Sequence, residues 1–294
     1  MKKVRIVIVI LFIEALGVFL FLRWRERKNS DYTPPVISAE TDKLEASVNV
    51  TDEELLRGMS AVDNRDGDVS STLVVASRTK FIRKDTVKVN YAAFDRDSNV
   101  GSYVRELTYT DYVPPRFSIS GPLCFIESNS RDNAQILRNI TATDCIDGDI
   151  TSQIMVNLGE IRTIGEGVSA QTVNLQVSNR SGDTSILDVL VRFEEYNIFN
   201  QQKPHLSEYL VYTRAGEPAP DFLSYTDGVG YGNNITSFAD TGFVRTQDVR
   251  VDTSLLDLET PGVYEVVYTL SRTQEDGSRT ELGSSYMTVV VTGE

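Results

Sequence analysis

The sequence has one histidine, His205, one tryptophan, Trp24, and two cysteines, Cys124 and Cys145. A Ser–His–Asp apparatus would have to recruit His205, which stands beside Pro204 where exposure in a linker is the ordinary explanation. No G-x-S-x-G context accompanies it. Basic charge is scarce as well: 29 Lys and Arg face 42 acids, a net of −13. Residues 1–28 carry seven basic side chains against Glu14 and Glu26, a net of +5, which leaves −18 (−13 − 5) for the rest. An acidic bulk of that size repels phosphate backbones and argues against nucleic-acid partners; it also keeps a surface protein soluble. The Gly-rich run YTDGVGYGNN (225–234) lacks the Lys-Ser/Thr ending and the following helix of a phosphate loop. Paired carboxylates for glycoside hydrolysis exist among so many acids. These acids, however, lie in repeated loops, whereas an active site is normally present once. The chain is read as non-enzymatic, with no resident cofactor.

Long apolar runs are missing except for one, Ile6–Leu22, IVIVILFIEALGVFLFL. Its 17 residues span about 26 Å, slightly short of a ~30 Å hydrocarbon core, and Arg5, Arg23 and Trp24 extend it at the interfaces. Small residues for a cleavage site are absent, since RWRERKNSDY follows, and no cysteine is there for lipid attachment. Residues 1–28 are therefore expected to be an uncleaved membrane anchor with its transmembrane helix at about 6–22. Three basic residues precede the run and four follow it, so charge does not orient it. Glu14, in mid-span, is either a protonated side chain tolerated there or a contact with another membrane helix in a larger complex.

Helical periodicity is hard to find beyond Asn29. Short alternating runs rich in Val, Ile, Thr and Tyr take its place: TVKVNYAAF (86–94), TVNLQVS (172–178), ILDVLVRF (186–193), VYEVVYTL (263–270) and SYMTVVV (285–291). Gly, Asn, Asp and Pro clusters separate them, as in antiparallel sandwiches. The chain also repeats itself. DYTPPVIS begins at Asp31 and DYVPPRFS at Asp111; DGD recurs at 66–68 and 147–149. A third copy is expected from Lys203, with DGVGYGNNITS (227–237) where the acidic loop should be. Pro-Pro fixes φ and removes two N–H donors, which suits a stiff junction. The fold class expected is all-β: three sandwiches, 31–110, 111–198 and 203–294, behind a single transmembrane helix.

The runs GMSAVDNRDGDVSS, DTVKVNYAAFDRDSNVGSYVRELTY and, above all, NITATDCIDGDITSQI (139–154) resemble the bacterial immunoglobulin-like repeat of multidomain surface proteins, with its A-x-D-x-x-D-G-D-I-T stretch. The late strand of the third copy, VDTSLLDLETPGVYEVVYTLS, is similar to that family's Pro-Gly followed by an alternating strand. The resemblance covers about 260 residues. It departs in the third copy, which has lost DGD, and in the second, which lacks a clear Pro-Gly. It implies immunoglobulin-like sandwiches serving as stalk or binding modules outside the cytoplasm. That in turn implies a cytoplasmic N-terminus and an external C-terminal bulk. No LPxTG-like signal ends the chain, so the N-terminal anchor is expected to hold it at the cell membrane.

Candidate sites are few. Asp63, Asp66 and Asp68 stand at positions one, four and six of their loop, out of register with an EF-hand, and Asp144, Asp147 and Asp149 repeat the arrangement. They are read as turns: Asp and Asn cap backbone N–H groups, Gly supplies positive φ, and the following Val or Ile re-enters the core. The third copy fits that reading, because Gly232, Asn233 and Asn234 keep turn chemistry and discard the charges. The alternative is calcium at a domain junction, with Asp111, the Asp66/Asp68 loop and FDRDSN (94–99) converging. Cys124 and Cys145 either form a disulfide closing a ~20-residue loop or remain two separate buried thiols. N-x-T sequons occur at Asn49, Asn139 and Asn234; turn and strand preference explains the two Asn-Ile-Thr cases, and no glycan is assigned to any of them. Tyr209, Tyr212, Tyr225, Tyr231 and Phe238 are candidates for a glycan-binding aromatic face; packing in the core and at edges is the alternative. The partners expected are the membrane and a cell-wall glycan or surface protein.

Overall fold

The computed structural model describes residues 2–29, 31–127 and 133–293. Helix α1 spans Lys2–Asn29, and its central stretch, 7–22, is apolar on every side except for Glu14, which suits lipid contact and not a core-facing stripe. Val7–Arg25, with a mean hydropathy of 2.3, is long and apolar enough to cross a membrane. The helix runs beyond the expected 6–22 because RWRERK contains good helix formers and no breaker.

Beyond this helix the chain is mostly β. It falls into two compact units, Met1–Tyr112 and Val113–Glu294. The first contains β1 Val36–Ala39, β2 Lys43–Ala46, β3 Met59–Asp63, β4 Gly67–Asp68, β5 Val74–Arg78, β6 Thr86–Phe94 and β7 Val100–Tyr109. These make two sheets, ordered β1-β3-β4 and β2-β7-β6-β5. β2 runs parallel to β7, and the remaining pairs are antiparallel. Ile37 and Ala61 of one sheet pack with Ala93 of the other, and with Val69 and Leu73 of the connection between them.

The second unit repeats this pattern twice. Its first set is β8 Arg116–Ile119, β9 Cys124–Ile126, β10 Ile140–Asp144, β11 Gly148–Asp149, β12 Met155–Gly165, β13 Val168–Ser178 and β14 Thr184–Glu194. The sheets are β11-β10-β8 and β12-β13-β14-β9, with β9 parallel to β14. The second set is β15 Gln202–Leu206, β16 Leu210–Arg214, β17 Thr226–Tyr231, β18 Asn234–Ser237, β19 Val249–Asp252, β20 Gly262–Thr273 and β21 Arg279–Thr292. Its sheets are β15-β17-β18 and β16-β21-β20-β19, with β16 parallel to β21. One strand order and one parallel pair thus occur three times along the chain.

Alternation builds the core. Val173, Leu175 and Val177 of β13 point inward with Leu187, Val189, Val191 and Phe193 of β14. Each such burial contributes ~1.5–3 kcal/mol. The cluster continues into Tyr268, Leu270, Met287 and Val289, so the second unit has one connected core. Hydrogen bonds join the two sets as well: Tyr209 N donates to Ile119 O at 3.0 Å, and Phe117 N donates to the Tyr212 hydroxyl at 3.1 Å.

Candidate functional site

The two acidic loops share the same set of backbone hydrogen bonds. Asp63 Oδ1 accepts from Arg65 N and Asp66 N, both at 2.8 Å; Asp144 Oδ1 accepts from Ile146 N at 2.8 Å and Asp147 N at 2.9 Å. Asp68 and Asp149 each accept at 2.9 Å from the residue two further on, Ser70 N and Thr151 N. Those two hydroxyls then accept from Ala61 N and Ala142 N at 3.0 Å. Asp66 and Asp147 hold Arg96 N and Arg180 N at 2.8 and 2.7 Å. Gly67 and Gly148 sit at φ 75° and 71°, which a Cβ disfavours. Val69 and Ile150, two residues further on, are buried, so each loop passes the backbone from one sheet to the other.

Electrostatics track these hydrogen bonds. The backbone N–H groups of Asp66 and Arg65 hold the Asp63 carboxyl below the usual carboxylate range. The Ser70 and Thr151 hydroxyls, then their N–H groups, do the same for Asp68 and Asp149. Asp111 is lowered by the Ser47 hydroxyl, 2.6 Å away, and by Val48 N at 2.8 Å. The Asp66 loop does meet the 94–99 turn, whereas the Asp111 carboxylate is held by Ser47 and Val48 instead. Among the described residues no group of three or more His, Cys, Asp or Glu is arranged to hold a metal ion.

The cysteines are not in a disulfide. Cys145 is exposed and its sulfur donates to Val113 O at 3.2 Å, so it is not a buried thiol either. Cys124, in β9, is half-buried with Lys203 Nζ 4.0 Å away, and burial pushes its thiol up to about 12. The reason is topological: β9 lies in the sheet of β14 and β10 in the opposite sheet, so the two side chains are not strand neighbours.

The candidate aromatic face does not form, and packing accounts for most of these rings. Tyr209 and Phe238 are buried, and Tyr212 and Tyr225 half-buried; burial raises the Tyr209 hydroxyl to about 12 and lifts Tyr212 and Tyr225 too. Tyr231 alone of the five is exposed, at 55%. Packing between the two sheet sets accounts for two of these, since Tyr209 and Tyr212 bond to β8. His205 is not a linker residue: it lies in β15, its Nδ1 2.6 Å from Asp227 Oδ1 on β17, with Tyr209 edge-on to its ring.

The second unit contains a cavity of about 420 Å³ between its two sets of sheets. Arg192 on its wall, with a side chain 7% exposed, forms a two-pronged pair with Glu265 and lies 3.4 Å from the centre of the Tyr286 ring. Lys203 pairs with the buried Glu194 beside it. Sequence reasoning misses this cluster. The available signal is Arg192 and Glu194 flanking Phe193 at the end of the strand, where side chains on both faces are buried.

No family model matches the chain. A 133-residue stretch, 44% of the chain, is 32% identical to the pesticidal crystal protein Cry22Aa of Bacillus thuringiensis, and spans 16% of that protein's length. Among solved structures, the M60 catalytic domain with CBM51 domains from Clostridium perfringens ZmpB aligns over 88% of this chain and 31% of its own, at 12% identity and TM-score 0.20. The protocadherin gammaB4 extracellular domain aligns over 90% and 50%, at 11% identity and TM-score 0.19. Scores this low carry no argument about shared fold or function.

Proposed function

We propose that the chain is a non-enzymatic, membrane-tethered surface protein in which three tandem immunoglobulin-like sandwiches form a stalk or adhesion module at the bacterial envelope. The observation that carries this reading is the succession of one membrane-length apolar helix and one strand order repeated three times. A repeated scaffold with its carboxylates spent on turns suits spacing and contact better than catalysis, which needs a unique constellation. The partial match to a larger pesticidal protein supports a portable module. Contact would be made at exposed strand edges and end loops.

Cosedimentation of the full chain, in lipid nanodiscs, with purified bacterial envelopes tests the adhesion role. Saturable binding over empty nanodiscs is expected. Absence of binding across wall-bearing envelopes would contradict it and leave a spacer or a complex subunit.

A further inference from the structure

We propose that the cavity of the second unit binds a neutral, hydroxyl-rich ligand of one or two sugar rings, a role that goes beyond the tether and does not depend on where the chain is displayed. Its volume of about 420 Å³ falls among small-molecule sites. Three of the four basic side chains on the wall are already paired, Arg192 with Glu265, Lys203 with Glu194 and His205 with Asp227, and the fourth, Arg138, is exposed. An ionic ligand seated against these three pairs would have to break one of them or bury charge without compensation. Neutral donors and acceptors complete the wall, from Gln135, Asn139, Asn233 and Ser284, beside the rings of Tyr286 and Phe125. Amides and hydroxyls next to aromatic faces match the O–H and C–H faces of a pyranose ring.

The glycine-rich strand β17 supplies the room. A Cβ at Gly228 would lie 2.4 Å from Thr236 O, so that glycine is required by the neighbouring strand. A Cβ at Gly230 would meet only Lys203 O, at 3.9 Å. Gly230 lines the cavity, and a larger side chain there fills ligand space without a backbone clash at its first atom.

The test is calorimetric titration of the full chain in lipid nanodiscs with cellobiose, maltose, N,N′-diacetylchitobiose and, as the anionic counterpart, digalacturonic acid. At least one neutral disaccharide is expected to bind once per chain. Gly230→Phe is expected to weaken it by about tenfold or more with the melting temperature preserved. Binding of the acid alone, or of none of the four, overturns the proposal. So does binding that survives Gly230→Phe and is lost in Tyr231→Ala, which would place the site on the exposed surface. Should Gly230→Phe fail to fold, Gln135→Ala carries the same test: a loss of about threefold or more supports the cavity, and unchanged affinity counts against it.

Discussion

Arg192 and Glu265 lie 73 residues apart and meet through two hydrogen bonds of 2.8 and 2.6 Å, with the arginine side chain 7% exposed. The pair joins β14 to β20 and so links the two sheet sets of the second unit. Removing one member leaves a desolvated charge, at a cost of several kcal/mol; partial exposure of Glu265 brings this down to ~2–3 kcal/mol for Glu265→Ala. The double variant Arg192→Met/Glu265→Leu should recover most of the loss. Urea unfolding of the three proteins checks this; a double variant no better than the single one contradicts it.

The tethering of β1 gives a second outcome. A Cβ on Gly101 would fall 2.1 Å from Pro35 O, a main-chain atom that cannot swing away. Gly101→Ala should therefore destabilise the first unit by about 1–3 kcal/mol, as overpacking does. Gly165→Ala, with nothing near its Cβ, should cost far less. Equal shifts in thermal unfolding would refute the close approach.

Acid sensitivity arises in the loops. Asp68 and Asp149 have folded pKa values below their unfolded ones. Their stabilisation is complete well above about pH 3.9, declines as pH falls from there, and vanishes below the folded values. Asp68→Asn/Asp149→Asn should accordingly lose less stability between pH 5 and pH 3 than the parent. Parallel pH profiles would show that the carboxylates are unperturbed.

The same loops predict indifference to calcium. One oxygen of each of Asp63, Asp68, Asp144 and Asp149 already accepts backbone N–H groups, and no cluster of three acidic ligands forms among the described residues, so neither millimolar calcium nor chelator should move the melting temperature. A clear calcium-dependent rise would revive a metal site at the Asp66 loop and the 94–99 turn.

Much of this fold is legible in the residues alone. The eighty-residue recurrence of Pro-Pro and DGD marks the strand pattern, because Gly67 and Gly148 need positive φ and the flanking aspartates need N–H groups to cap. Even the altered third copy keeps its place: Gly232 and Asn233 turn β17 into β18, as Asn64–Asp66 turn β3 into β4. What stays hidden depends on pairings between distant segments. Packing of Tyr209 and Tyr212 is legible as one of two readings, but nothing local announces that β8 is the partner. His205 reads as a linker residue because Asp227 is brought to it only by strand pairing. The cysteines lie close enough in sequence to bridge, and only the placement of β9 in the opposite sheet separates them.

The most direct test of a tethered, outward-facing array uses the chain's own thiols. Cys145 is exposed, while Cys124 is half-buried with its thiol raised to about 12, so a maleimide should modify Cys145 first in the native protein. Intact bacteria expressing the full chain are treated with a membrane-impermeant maleimide, and labelling is compared with that of lysed cells and of Cys145→Ser. The account predicts full labelling of Cys145 before lysis and its loss in Cys145→Ser. Labelling that appears only after lysis would place the sandwiches inside the cell and contradict the surface role.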